Sequence, residues 1–212
     1  MRIFLFLLLF LFASTSICAQ TSPDSLPKRN GYALWLIPSA RDNIYGIAIG
    51  LFGSEIICNR LNTKKSHGIN LQLIGQGLFI PLNKKAFGYQ NLFSTDTSWM
   101  VVYKDSSHYK AIHNGLLITT FGSMTDVSNG IVLSAWFSLG TKANGLIVNA
   151  LANKYTQLNG VAISLSNQSY AAKGIQIGLI NRTRKLHGFQ FGLWNVNDRR
   201  KLPIINWNFR NQ

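Results

Sequence analysis

One short phrase, written six times between Gly115 and Lys201, constrains this chain more than any other feature. Each copy opens on glycine, alternates its side chains for about seven residues and runs into a polar connector. The copies begin at Gly115, Gly130, Gly145, Gly160, Gly174 and Gly188, so the spacings are 15, 15, 15, 14 and 14 residues. A fixed short period means that one structural unit is stacked on its neighbours or folded back against them. The residue before the glycine is Asn at 114, 129, 144 and 159, and His at 67 and 187. Asn-Gly favours positive φ, so these pairs predict tight turns or bulges where a strand begins, at one fixed register in every copy. His67 and His187 read as turn residues in place of Asn.

Charge narrows the architecture. The windows 115–121, 130–136, 145–151, 160–166, 174–180 and 188–194 hold no Asp, Glu, Lys or Arg. Every charge of the array falls in a connector, from Asp126, Lys142, Lys154 and Lys173 to Arg182, Arg184, Lys185, Asp198, Arg199, Arg200 and Lys201. A one-faced soluble sheet shows charges on its wet face. Neither face does so here, which predicts that both are hidden from bulk water. The faces still differ: Val161, Ile163, Leu165, Ile175, Ile177, Leu179, Phe189, Phe191 and Leu193 share one, while Ala162, Ser164, Gln176, Gly178, Gln190 and Gly192 share the other.

Two all-β architectures fit. In an antiparallel up-and-down meander closing as a small β-barrel, the large residues face lipid and the small ones fill a narrow interior. A period of 14–15 allows about ten residues of strand with a short turn, enough to cross a bilayer. In a β-solenoid or open repeat sheet, the large residues fill the coil, and Asn167, Asn181 and Asn195 stack as a ladder. Equal repeat lengths favour the solenoid. A connector such as Asn181 to His187 offers too little apolar material for a second wall, so the barrel is the expectation.

The rest of the chain fits one exported domain. Arg2, the apolar run Ile3–Ala13 and the small residues before Ala19 read as a signal peptide over 1–19. Residues 20–30 form a polar leader with Pro23 and Pro27, and 31–212 a single all-β repeat domain whose array spans 115–201. Further strands are expected at Gly31–Ala40, Gly46–Gly53, Ser54–Leu61, Gly68–Ile80, Trp99–Lys104 and Pro203–Phe209, for eleven to thirteen in all. Beyond the leader only Cys58 remains as cysteine, so no internal disulfide staples the fold. Pro203, Ile205, Trp207 and Phe209 share one face of the last strand, which resembles the closing strand of outer-membrane barrels.

At Gly174–Asn181 and Gly188–Asn195, the chain resembles bacterial surface-repeat proteins built from GxQxGLxN units. The ending from Leu193 to Phe209 resembles the usual close of members from Gram-negative lineages. The resemblance covers about 46–82 and 111–209, and it implies an exported, envelope-associated protein. The family has no assigned activity or site residues to carry over.

Chemistry-bearing constellations are sparse. Asp105, His108 and His113 with Ser106 or Ser107 are the best enzyme case, yet the histidine spacing matches no known ligand phrase. Glu55, the only glutamate, stands three residues before Cys58 with no histidine nearby in sequence. The glycines lie on strands and form no phosphate-binding loop, and no cofactor phrase is found. The net charge of +14 fits an anionic partner at a cell surface, lipid or glycan rather than nucleic acid, and equally fits simple solvation of the turns. The candidate anion- or glycolipid-binding residues are Arg182, Arg184, Lys185, Arg199, Arg200 and Lys201. The functional expectation is a non-enzymatic protein of the outer membrane or cell surface of a Gram-negative bacterium, structural or interacting in role. An adhesin-like module binding anionic glycolipid or polysaccharide is the alternative, and a secreted hydrolase a third reading.

Overall fold

The alternating runs do form strands, and equivalent positions of successive copies lie side by side. A computed structural model describes residues 29–39, 41–53, 64–75 and 111–210. The strands are β1 (Asn30–Ile37), β2 (Asn43–Gly50), β3 (Lys64–Gln72), β4 (Ala111–Thr119), β5 (Gly122–Met124), β6 (Val127–Ser134), β7 (Phe137–Asn149), β8 (Ala152–Ile163), β9 (Ser166–Ile177), β10 (Ile180–Val196) and β11 (Lys201–Asn208). Their order in the sheet follows the chain, β1-β2-β3-β4-β6-β7-β8-β9-β10-β11, with β5 beside β7. Every pairing is parallel except that of β10 with β11. The expected strands at 54–61 and 99–104, the continuation of the Gly68–Ile80 strand past 75, and the segment 1–28 lie outside the described residues.

This parallel register overturns the expected antiparallel barrel. The chain is a β-solenoid of about eight coils. Gly46 pairs with Gly68, Gly68 with Gly115, and the column continues through Gly130, Gly145, Gly160 and Gly174 to Gly188. Equal repeats place each residue over its equivalent, so backbone groups are satisfied by the coils on either side. The change from 15 to 14 residues is absorbed between the walls of a coil. Gly145 pairs with Gly160 and Asn153 with Asn167, although one more residue separates the first members than the second.

Each coil is two walls folded over a narrow interior. The glycine lies within the long wall, and a shorter wall follows the turn, as in 122–124, 137–140, 152–155 and 166–169. The positive φ expected of the glycines holds, but no tight turn occurs there. Gly174 has φ +129° within β9, and a Cβ on it would sit 2.0 Å from the carbonyl oxygen of Gly160. A side chain at that point would drive neighbouring coils apart.

The interior explains why the missing apolar second wall did not exclude a solenoid. After the repeat glycines of the C-terminal coils, small and polar residues such as Ala162, Gln176 and Gln190 point inward and the large apolar ones do not. One part of the core is apolar: Leu117, Val132, Ile147, Ala162, Ala143, Leu158, Ala172, Leu186 and Tyr155. Towards the C-terminus it becomes an amide and hydroxyl network. Asn153 Nδ2 donates to Asn167 Oδ1 (2.9 Å), Asn167 to Asn181 (2.8 Å) and Asn181 to Asn195 (2.8 Å). The same Asn167 and Asn181 amides also donate to the carbonyls of Ile177 and Phe191, each at 2.8 Å. Beside this ladder, Gln190 Nε2 donates to Gln176 Oε1 (2.8 Å), Gln176 Nε2 to Ser169 Oγ (3.1 Å) and Asn206 Nδ2 to Gln190 Oε1 (3.0 Å). Buried amides are costly only when unpaired, and the Asn167, Asn181, Gln176 and Gln190 amides are each held by a neighbouring coil.

The phrase GxQxGLxN can thus be read residue by residue. The first glycine supplies the positive φ, and the Gln enters the inner network. At the second glycine, a Cβ on Gly192 would lie 1.9 Å from the Gly178 carbonyl oxygen and 2.7 Å from Asn181 Nδ2, so its absence lets the ladder amide reach the facing wall. The Leu points out, and the Asn is the ladder.

At the C-terminal end, Asn197 Oδ1 accepts from the backbone amides of Arg199 and Arg200, both at 2.9 Å, and turns the chain back. β11 then lies antiparallel along the 188–196 part of β10. The expected closing strand exists, but it ends the stack rather than sealing a barrel.

Candidate interaction surface

Large apolar side chains line the outer face of the long wall from end to end, whether the inner face is apolar or polar. One outward column runs Leu34, Ile47, Ile69, Leu116, Ile131, Leu146, Val161, Ile175, Phe189 and Trp207. Two residues on, a second runs Leu36, Ile49, Leu71, Ile118, Leu133, Val148, Ile163, Ile177, Phe191 and Ile205. Every member is exposed or half-exposed, and Leu36 reaches 77%. Neither column contains a charge or a hydrogen-bonding side chain other than the Trp207 indole. Ten strands at about 4.8 Å spacing make this face roughly 45 Å long, and its area several hundred Å². Single exposed apolar residues need no explanation; a continuous stripe of this size does.

The two long borders differ. Along the turn between the walls lie Leu51, Leu73, Trp136, Leu165, Leu179, Leu193 and Trp194, all exposed. Towards the opposite side, the column before the glycines is a ladder in the open. Asn129 Nδ2 donates to Asn114 Oδ1 (2.6 Å), Asn144 to Asn129 (2.6 Å) and Asn159 to Asn144 (2.7 Å). Asn114 meets His67 Nδ1 at 3.2 Å, and stacked rings continue the column, His67 on Tyr45 at 4.7 Å and Tyr45 on Tyr32 at 5.5 Å. His67 and His187 are therefore mid-strand members of an outer column, not turn residues. Lys173 occupies the same column, and the next one out aligns Lys65, Lys142 and Lys185. Both columns are free of acids, so this border is basic.

The six cationic candidates are dispersed by the fold. Arg182 is wholly buried in the second wall, where burial pulls its pKa down to about 10. It belongs to the interior. Arg184 and Lys185 are exposed at a coil corner, each 5.8 Å from the Tyr170 ring. Arg199 and Lys201 are exposed at the final hairpin. Arg200 lies 4.6 Å over the Trp207 ring, with its Nε donating to Asn206 Oδ1 at 3.0 Å and its guanidinium also reaching the Trp207 carbonyl. Lys65, Lys142 and Lys173 were not among the candidates. Their placement on one border, in two neighbouring columns, is visible only once Gly68, Gly145 and Gly174 are known to share one column.

Of the proposed catalytic constellation, Asp105, Ser106, Ser107 and His108 lie outside the described residues, as do Glu55 and Cys58. His113 is inside the stack, 2% exposed, with its Nδ1 2.7 Å from Ser66 Oγ. Burial, reinforced by the neighbouring His67, lowers its pKa to about 4. It is a neutral core residue. Tyr155 is likewise interior, hydrogen-bonded to Ser138, and burial pushes its phenol up to about 12. Among the described residues, no group of three or more His, Cys, Asp or Glu could hold a metal ion, and no helix is long and apolar enough to cross a membrane. Comparison with protein-family models, curated proteins and solved structures finds no match.

Proposed function

We propose that this chain is a non-enzymatic, exported β-solenoid of the cell envelope, and that it works as an interaction surface. The observation that carries this reading is the outer face of the long wall. Its Leu, Ile, Val and Phe columns run across ten strands without a charge. Burial of such residues is worth about 25 cal/mol per Å², so a face left open this widely favours whatever covers it. The interior supports the same reading, since its Asn153–Asn195 and Gln176–Gln190 amides are spent on ladders between coils. The signal-like segment at 1–19 supports export, and the excess of Lys and Arg supports an anionic setting at the cell surface.

The test is retention in the envelope fraction of an exporting host. Five exposed outward isoleucines are changed together to threonine (Ile47, Ile69, Ile118, Ile131 and Ile177), which preserves β-branching and removes the apolar surface. The expected result is loss of envelope retention with an unchanged melting transition. Retention equal to that of the parent chain would remove the face from the function. Anionic glycan recognition by Arg184, Lys185, Arg199 and Lys201 is the second reading, favoured by their exposure at one end of the stack. Release from the envelope by salt alone, with the isoleucine variant still retained, would select it.

A further inference from the structure

We infer that the occupant of the apolar face is an anionic lipid leaflet, with the solenoid lying flat and its basic border at the level of the lipid phosphates. This rests on the reading of that face as an interaction surface, and it names the partner. A lipid boundary is apolar inside and negatively charged at its rim, and the face has the complementary order. The apolar columns occupy its middle. Exposed Leu165, Leu179, Leu193, Trp136 and Trp194 extend it along the turn between the walls. Tryptophan is the residue type that settles at the boundary between acyl chain and headgroup. On the opposite border stand Lys65, Lys142, Lys173 and Lys185, in columns without an acid. Their long stems let the ammonium groups reach phosphate while the strand itself rests deeper.

Charge decides between a leaflet and a second copy. Two exported chains laid face to face, each without Arg2, would bring together two molecules with a formal net charge of 14 − 1 = +13 each, their lysine borders repelling. An anionic leaflet instead draws each border lysine in, and the apolar columns gain the same burial. Continuity suits it also: parallel pairing carries the two apolar columns across all ten strands without a break.

The test uses the exported chain, purified from its envelope fraction, and two kinds of vesicle. One kind holds equal parts phosphatidylcholine and phosphatidylglycerol, the other phosphatidylcholine alone. The parent chain should sediment with the anionic vesicles, and brominated acyl chains should quench its tryptophan fluorescence. Lys65, Lys142, Lys173 and Lys185→Gln together should weaken that binding at least about tenfold, and raised salt should weaken the parent in parallel. The five isoleucine-to-threonine changes should weaken it about a hundredfold or more. Unquenched tryptophans, or binding that survives the isoleucine changes, would overturn the inference, because the face would not be seated in lipid. Absence of vesicle binding together with a dimer that the isoleucine variant abolishes would also overturn it, while leaving the face as the working surface. If the isoleucine variant also keeps its envelope retention, the broader reading falls as well.

Discussion

A glycine column is the least replaceable feature at the scale of single residues. Gly174→Ala must place a Cβ against the Gly160 carbonyl and hold a positive φ, and it should cost about 1–3 kcal/mol in urea unfolding. The same column contains a natural exception that gives the opposite sign. Ala33 pairs with Gly46 at the outer edge of the stack and has φ 66°. An alanine in the left-handed region is strained by about 1 kcal/mol, and there Ala33→Gly should stabilise by about that much. Asn181→Ala removes a ladder amide that serves Asn167, Asn195 and the Phe191 carbonyl at once. With several buried groups left unpaired, a loss of about 2–4 kcal/mol is expected from the same measurement. The stacking of Asn167, Asn181 and Asn195 was legible in the sequence as a property of a solenoid. The direction of the alternating faces was not. Alternation separates Ile175 and Ile177 from Gln176 but does not say which set is inside: the barrel expectation put the isoleucines outward against lipid, and the solenoid alternative packed them in the coil. What lets Gln176 sit inside a solenoid is the repetition itself, because an amide that always meets another amide loses little by leaving water.

At the scale of elements, the joints of the stack are where sequence and structure part furthest. β3 and β4 pair directly, Gly68 beside Gly115, although a long stretch of chain separates them. No period marks that adjacency in the sequence, since the interval between the two glycines is far longer than the repeat. His113 of β4 and Ser66 of β3 are joined across it, and the junction should therefore respond to acid. The unfolded imidazole has its pKa near 6.5 and the folded one about 4, so the unfolded chain binds the proton first. Stability contributed by neutral His113 is fully present above about pH 6.5 and is lost as pH falls towards 4, by at most about 3 kcal/mol. His113→Gln should flatten that part of the pH profile, with the unfolding midpoint as the readout. β11 shows the opposite balance. Its alternation and its start near Pro203 were read correctly as a strand, while its role depended on the architecture around it. In a parallel stack, an antiparallel hairpin strand is a terminator, because it offers the next coil no matching register.

For the whole molecule, the distinction between stack and barrel has a consequence that deletion makes visible. Removing residues 174–187 takes out one coil, so that Gly160 comes to pair with Gly188 and Asn167 with Asn195. Both replacements reproduce pairings already present elsewhere in the column. Removing 160–187 takes out two coils, and Gly145 then meets Gly188 as Asn153 meets Asn195. Strands of one direction are indifferent to whether the number removed is odd or even. Each coil contacts its neighbours, and stability is close to a sum of coil and interface terms. Both shortened chains should keep their far-UV circular dichroism per residue and unfold cooperatively in urea, the double deletion at the lower midpoint. An antiparallel meander predicts something else: a single deletion would invert every later strand and fail, while a double deletion would restore direction. A folded double deletion beside an unfolded single one would therefore contradict the parallel stack. Two folded products with graded midpoints are the expected outcome, and both should retain the charge-free outer columns over the coils that remain.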